Sequence, residues 1–294
     1  MIQNKVKRLF FYIKRVFLVR RLGKSYPLCK VDTCICQNTS FHKISEQDRY
    51  GIPVGASICD NCGLVFLTPR ICDDFLSTFY ERDYRKLYGS KDASDEAYLS
   101  RSLRRGESIV SFLSGKNITE SVDKVAVEIG CGVGGILRVI QNKGWSAVGC
   151  DYDADCIESA KESGINAFVG GIEELIDRKI KADLIILSHV LEHLPDPVDF
   201  LQNVKRILSR DGVIYLEVPG LLNSKVNFFK SIQVAHLYYF DLDNLVRIFE
   251  KAGFQVDYGD ESVKILATES HGQLVGSMKS SFDKNMAIIN SWKK

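Results

Sequence analysis

Two groups of residues in this 294-residue sequence have types and spacings that could do chemistry. One is Val127-Glu128-Ile129-Gly130-Cys131-Gly132-Val133-Gly134-Gly135, which follows a β-rich apolar run and opens a helical stretch. Glycines at such a turn let the main chain approach a ligand where a Cβ would collide. Read as G-x-G-x-x-G, Gly130, Gly132 and Gly135 fit a dinucleotide fingerprint, and Asp151 is placed to meet ribose hydroxyls. The glycines do not separate a nicotinamide cofactor from S-adenosylmethionine. Glu128 does, because a carboxylate at the end of the strand can face an ammonium group and would repel a pyrophosphate. A cofactor bearing an amino acid is therefore favoured.

The second group is made of cysteines. Cys59-Asp60-Asn61-Cys62-Gly63 is a Cys-x2-Cys-Gly knuckle, whose two thiolates can take one edge of a tetrahedral Zn²⁺. Cys34 and Cys36 are the candidates for the other edge, with a Cys-x-Cys spacing and Cys29 as a substitute ligand. The interval from Cys36 to Cys59 is longer than the roughly 15 to 20 residues of common zinc ribbons. Four thiolates leave no open position, so the expected site is structural; the alternative is a set of buried thiols without metal. Of nine cysteines, six (Cys29, Cys34, Cys36, Cys59, Cys62, Cys72) fall in the first quarter of the chain. An odd count and the lack of a readable signal peptide favour a reducing, cytoplasmic setting over a disulfide framework.

These groups must be held by regular elements. From Val125 onward, short apolar runs (Val125 to Ile129, Ala147 to Asp151, Ala167 to Val169, Leu184 to Ser188, Val213 to Val218) alternate with amphipathic stretches. That alternation predicts βαβ units and a parallel sheet covered on both faces. Asp196 and Pro197 are the expected N-cap and first-turn residue of a helix to about Leu208, and Gly253 the terminator of a helix over Leu242 to Ala252. The runs Phe254 to Tyr258 and Val263 to Thr268 are too close for a helical crossover, so an antiparallel hairpin should close the sheet.

The chain at this point resembles the class I S-adenosylmethionine-dependent methyltransferases, in the group with E-x-G-x-G-x-G and a segment like Val190-Leu191-Glu192-His193-Leu194-Pro195-Asp196-Pro197. The resemblance covers about Val125 to Thr268 and implies an α/β fold with a seven-stranded Rossmann-like sheet. It implies that Glu128, Gly130, Gly132 and Gly134 line the methionine part of the cofactor, that Asp151 holds the ribose diol, and that Ser188 borders the site. Where relatives often carry an acid for the adenine amine this chain has Gly171, which leaves that contact to the Ile172 main chain. His189, Glu192 and His193 suit either a structural or a functional role.

The stretch Cys59 to Arg70 resembles the small N-terminal zinc-binding module found ahead of some sugar and polysaccharide-cluster methyltransferases. Ala235-His236-Leu237-Tyr238-Tyr239-Phe240-Asp241 resembles the "EHxxYFS" segment of deoxysugar methyltransferases. That likeness implies His236 as a base and Tyr239 as an orienting group, with Ala235 and Asp241 departing from the pattern's glutamate and serine. Tyr84 and Tyr88 lie in a "YxxDYxxxY"-like stretch suited to covering an acceptor or to packing. The implied acceptor is a small molecule, a sugar or nucleotide-linked sugar, with a lipid or quinone-type acceptor and a non-catalytic scaffold as rivals.

Net charge is +2, but the first 24 residues hold eight Lys or Arg and no acid, so the remainder sums to −6. The arm over residues 1–24 has the pattern of a basic amphipathic helix, suited to peripheral contact with an anionic membrane or to packing on the body. A body of negative charge argues against nucleic acid as partner. Charges interrupt every apolar run before the roughly 20 residues a membrane-spanning helix needs. The expected organisation is therefore an arm at 1–24, a cysteine module at 25–72, a helical cover region at 73–120, the cofactor domain at 121–270 and a tail at 271–294.

Overall fold

A computed structural model describes residue 22 and residues 24–88, 96–118, 123–222, 227–272 and 280–293. The expected basic arm falls almost wholly outside the described residues. In chain order the strands are β1 (Leu28–Cys29), β2 (Phe41–Ser45), β3 (Ala56–Cys59), β4 (Val65–Leu67), β5 (Arg70–Ile71), β6 (Val125–Ile129) and β7 (Ser146–Asp151). They continue with β8 (Asn166–Val169), β9 (Ala182–Ser188), β10 (Leu208–Glu217), β11 (Tyr238–Tyr239), β12 (Phe254–Gly259) and β13 (Lys264–Glu269). The main helices are α1 (Glu96–Ser114), α2 (Gly135–Gln141), α3 (Ala154–Glu162), α4 (Ile172–Asp177), α5 (Pro197–Ile207), α6 (Leu242–Lys251) and α7 (Phe282–Ser291).

The chain divides into two compact units, and the division is not sequential. Unit 1 takes Met1–Ser90, Leu221–Asn244 and Lys279–Lys294; unit 2 takes Lys91–Gly220 and Leu245–Met278. The expected cover region is split between them, and so is the expected tail, of which only Lys279–Lys294 joins unit 1. The physical reason lies in unit 1's own contacts. Strand β11 pairs antiparallel with β4, Tyr238 opposite Phe66 and Tyr239 opposite Val65, in a four-stranded sheet ordered β11-β4-β3-β2. Strands β1 and β5 form a separate antiparallel pair. The short β3 and β4 are buried on both faces, so they need partners from distant chain to cover them. Phe228, Ile232, Leu237, Phe240 and Ile289 add to the buried set of this unit.

Unit 2 holds a seven-stranded sheet ordered β12-β13-β10-β9-β6-β7-β8. Strands β6 to β10 run parallel, while β13 is antiparallel to both β10 and β12, which gives the expected closing hairpin. The core strands are nearly continuous apolar runs, as a sheet covered on both faces requires; from Leu184 to Leu187 every residue of β9 is 0% exposed. The side chain of Asp196 caps α5 by accepting from Val198 N and Asp199 N, both at 3.0 Å, and Pro197 takes the first turn. Gly253, at φ +89°, ends the hydrogen-bonded run of α6. Among the described residues no helix is long and apolar enough to cross a membrane.

Candidate functional sites

Strand order in unit 2 reverses at β6, with β7 and β8 on one side and β9 and β10 on the other. In open α/β sheets ligands sit at the carboxyl ends of the strands flanking that switch point. Glu128 is the penultimate residue of β6 and Ser188 the last of β9, so both lie there. The loop after β6 turns through Gly130, Gly132 and Gly134 at φ of 77°, 51° and 73°, left-handed values that L side chains rarely adopt. A Cβ on Gly132 would also collide with the Tyr98 hydroxyl of α1. The loop is tied to β7 by Gly130 N and Cys131 N, which donate to Cys150 O at 2.8 and 3.0 Å.

Asp151 is itself part of this scaffold. Its Oδ2 accepts from Gly132 N and its Oδ1 from Asp153 N, each at 2.9 Å. An ionised carboxylate accepts at about four positions, so it retains capacity for a diol. Ile172 is buried at the start of α4. A Cβ on Gly171 would meet the hydroxyl of Tyr152, an exposed side chain. Ser188 donates to Glu217 Oε1 at 2.7 Å, and Tyr215 donates to Glu217 Oε2 at 2.9 Å.

Glu128 is 2% exposed, and its Oε2 is a buried oxygen with no hydrogen-bond partner. Burial, and then the charge of Asp151, hold its carboxyl well above the ordinary carboxylate range, while Arg105 pulls the other way. Sequence reasoning missed Arg105, Glu217 and Tyr98. Glu217 could have been found, since it ends β10, much as Glu128 lies one residue from the end of β6, and it stands in register with Ser188; the Arg105 guanidinium lies 3.4 Å from it. Glu192 is buried beside two histidines, His189 Nδ1 at 3.4 Å and His193 Nε2 at 3.8 Å, and His189 itself takes φ +56°.

The second site lies wholly in unit 1. Cys34, Cys36, Cys59 and Cys62 bring their sulfurs within 4.8 Å of one another, with Cys34 to Cys62 and Cys36 to Cys59 at 3.6 Å. A tetrahedron with Zn–S of about 2.3 Å has S···S edges of about 3.8 Å, so these four thiols have the size of a closed zinc site. Asn38 Nδ2 donates to Cys59 Sγ at 3.4 Å and Asn61 Nδ2 to Cys36 Sγ at 3.6 Å. Cys29 is withdrawn from the ligand set, because it forms a disulfide with Cys72 across the β1–β5 pair. Hydrogen bonds from Cys34 and Cys62 hold the Cys59 thiol far below its usual range, and the same contact with Cys59 pushes Cys34 far above. Gly63, at φ +75°, lets α7 approach: a Cβ there would stand 2.5 Å from Phe282 N. Asn285 of α7 donates to Gly63 O at 2.9 Å and to Asp241 Oδ2, while Asp241 Oδ1 accepts from Asn244 N at 2.7 Å. Asn285 thus ties α7 to the knuckle, and Asp241, the departure from the motif's serine, accepts from Asn285 in turn.

His236 and Tyr239 also belong to unit 1. His236 is half-buried, with its ring centroid 6.0 Å from that of Tyr239. The buried Tyr239 hydroxyl accepts from Gln233 N at 2.8 Å, so it shapes the turn that carries His236. Burial raises this phenol above its ordinary value. Tyr80, Tyr84 and Tyr88 form a ladder with ring centroids 5.1 and 5.0 Å apart, and the hydroxyls of Tyr80 and Tyr88 bond the main chain of Ala235. Within the unit these rings pack.

Three kinds of likeness to known proteins bear on these sites. The methyltransferase domain family matches residues 97–258. C-methyltransferase NovU of Streptomyces niveus is 27% identical over 210 residues, which are 69% of this chain and 47% of that protein. A ubiquinone biosynthesis O-methyltransferase of Actinobacillus pleuropneumoniae is 28% identical over 103 residues, 31% of this chain and 44% of that protein. This chain thus spans somewhat under half the length of these relatives. Among solved structures, the plantazolicin methyltransferase BamL with SAH aligns at a TM-score of 0.49 and 18% identity, covering 75% of this chain and 86% of that one. Magnesium protoporphyrin IX methyltransferase of Synechocystis with bound SAM aligns at 0.47 and 15% identity, covering 67% and 97%. The family match takes in α1, the glycine loop, Asp151 and the strand ends of unit 2, more than half of the sequence, and the chain belongs to the methyltransferase domain family.

Proposed function

We propose that this chain transfers the methyl group of S-adenosylmethionine to an oxygen or carbon of a small acceptor, a sugar or nucleotide-linked sugar. The observation that carries the donor is Glu128: a buried carboxylate oxygen lacking a partner, at the switch point of the sheet and beside a main chain bared by glycines. An ammonium group satisfies it, whereas a pyrophosphate would add like charge. Glu128 would hold the methionine ammonium, with Gly130, Gly132 and Gly134 lining the rest of the methionine part, Asp151 the ribose diol, and the Ile172 main chain the adenine edge. Bound there, the donor supplies a methyl group on a positively charged sulfur. The protein's part is alignment, for which oriented reactants can contribute roughly 7 to 11 kcal/mol. The sugar acceptor rests on the likeness around His236, which serves as the base that takes the acceptor's proton, with Tyr239 fixing its turn.

The four cysteines are read as a structural Zn²⁺ site. Their edge lengths suit the ion, and a divalent cation would let crowded thiols ionise together.

Two measurements test the donor assignment. Calorimetry should show binding of S-adenosylmethionine and none of NAD, and the donor should release protons on binding. The sign follows from the raised carboxyl of Glu128: below that raised value the empty site is protonated, the ammonium restores the anion, and affinity rises with pH. Without the donor, the same shift costs unit 2 stability as pH rises through it. Glu128→Gln should remove the proton release and weaken binding by about 2 to 5 kcal/mol. NAD binding in place of the donor would sink the reading. The acceptor is tested by following labelled methyl onto a panel of nucleotide-linked sugars, with His236→Gln lowering turnover at unchanged donor affinity.

A further inference from the structure

The turn between β2 and β3 grips the segment that carries His236. Asp48 is buried; its Oδ1 accepts from Tyr50 N at 2.8 Å and Ile52 N at 2.9 Å, and its Oδ2 from Val234 N at 3.2 Å. Arg49 donates its main-chain N–H to Ile232 O at 2.9 Å and its Nη2–H to Gln233 Oε1 at 2.7 Å. Its guanidinium lies 4.7 Å from the centroid of Tyr50 and 5.5 Å from that of Tyr88, which limits its movement. The other end of the Gln233 amide, Nε2, meets His236 Nε2 in a short hydrogen bond.

Donor chemistry fixes the protons in this chain. A guanidinium has donors only, so the Gln233 atom facing Arg49 must be the carbonyl oxygen. The atom facing His236 is then the amide NH₂, again a donor, and His236 Nε2 has to accept. An imidazole that accepts on Nε2 is neutral and carries its proton on Nδ1.

We infer that Arg49 is a positioning residue that sets the tautomer of His236 through the Gln233 amide, a role in which the cysteine module reaches the candidate base. A base needs an available lone pair, and the one on Nε2 is directed at Gln233. Proton removal through Nε2 therefore waits on this amide turning away, and Arg49 holds it in place. That consequence rests on the assignment of His236 proposed above; the tautomer does not.

The test reads the tautomer without turnover. The full chain, labelled with ¹⁵N-histidine, is studied by long-range ¹H–¹⁵N correlation about two pH units above the ordinary imidazole value near 6.5. The five histidines are sorted by the signals lost in His236→Gln. In the wild type the unprotonated nitrogen of His236 should be Nε2. Gln233→Glu sets an acceptor-only carboxylate between Arg49 and His236, and should move the proton to Nε2. Arg49→Met keeps the stem, removes the donor and should give a mixture of the two forms. An Nε2–H wild type, or an unchanged Nδ1–H form in both variants, overturns the inference. Full turnover in His236→Gln would instead overturn the base assignment and leave the tautomer reading standing.

Discussion

The two candidate sites are built in opposite ways. In unit 2 the residues that would hold a donor come from short loops following adjacent parallel strands, and the ligand-facing surface is largely main chain exposed at glycines. In unit 1 the cysteine site is made of side chains, and its frame is assembled from three stretches of chain: β2 to β4, β11 and α7. A site of the first kind follows from one βα turn and the strand order. A site of the second kind needs long-range pairing before its ligands meet. The lesson is that here the backbone-built site is local in sequence and the side-chain cluster is not.

Treatment with a zinc chelator, on the reading of the four cysteines proposed above, should break this contrast most forcefully. Structural Zn²⁺ binding is worth on the order of 10 kcal/mol in small domains, so chelation, or Cys59→Ser, should collapse the β2–β4 core of unit 1. Metal analysis should find about one zinc per wild-type chain, and proteolysis after chelation should cut first in residues 24–88. Donor affinity, read by calorimetry, should change far less than in Glu128→Gln. Equal losses of both would show that the sites are not separable. A finer probe compares two left-handed glycines. Gly63→Ala meets both the backbone penalty of about 1 to 2 kcal/mol and a clash with Phe282 N. Gly144→Ala, at φ +87° with nothing within 4 Å, meets the backbone penalty alone. Melting curves should rank Gly63→Ala the more damaging; equal drops would mean that α7 yields. Smallest is Tyr239→Phe, which strips the acceptor from the part-buried Gln233 N and should cost about 0.5 to 1.5 kcal/mol. A larger loss in turnover than in stability would point to Tyr239 acting on the acceptor itself.

Much of unit 2 was legible from the sequence because its signals are local. The strand runs from Val125 to Val218, the hairpin, the Asp196–Pro197 cap and the glycine loop all follow from period, turn chemistry and spacing. Glu128 was readable because a carboxylate at the end of an apolar strand has few bland explanations. What stayed hidden is equally physical. Arg105 sits on a helix face where any charge looks solvated, and its tie to Glu217 depends on how that helix crosses the strand ends. Cys29 and Cys72 are 43 residues apart, and nothing in their spacing separates a bridge from a ligand. Asp241 read as a defect in a motif, yet its carboxylate accepts from Asn244 and Asn285, a role visible only once α7 folds back on the knuckle.

That return of α7 governs how the protein can be taken apart. A chain shortened to end soon after β13 would keep the cysteine module but discard Asn285 and the helix that lies against Gly63. A fragment holding only the cysteine module would lack β11 as well. Neither unit corresponds to one continuous stretch of chain: unit 1 is assembled from three pieces and unit 2 from two, so cutting or swapping either one cleanly means moving separated segments together.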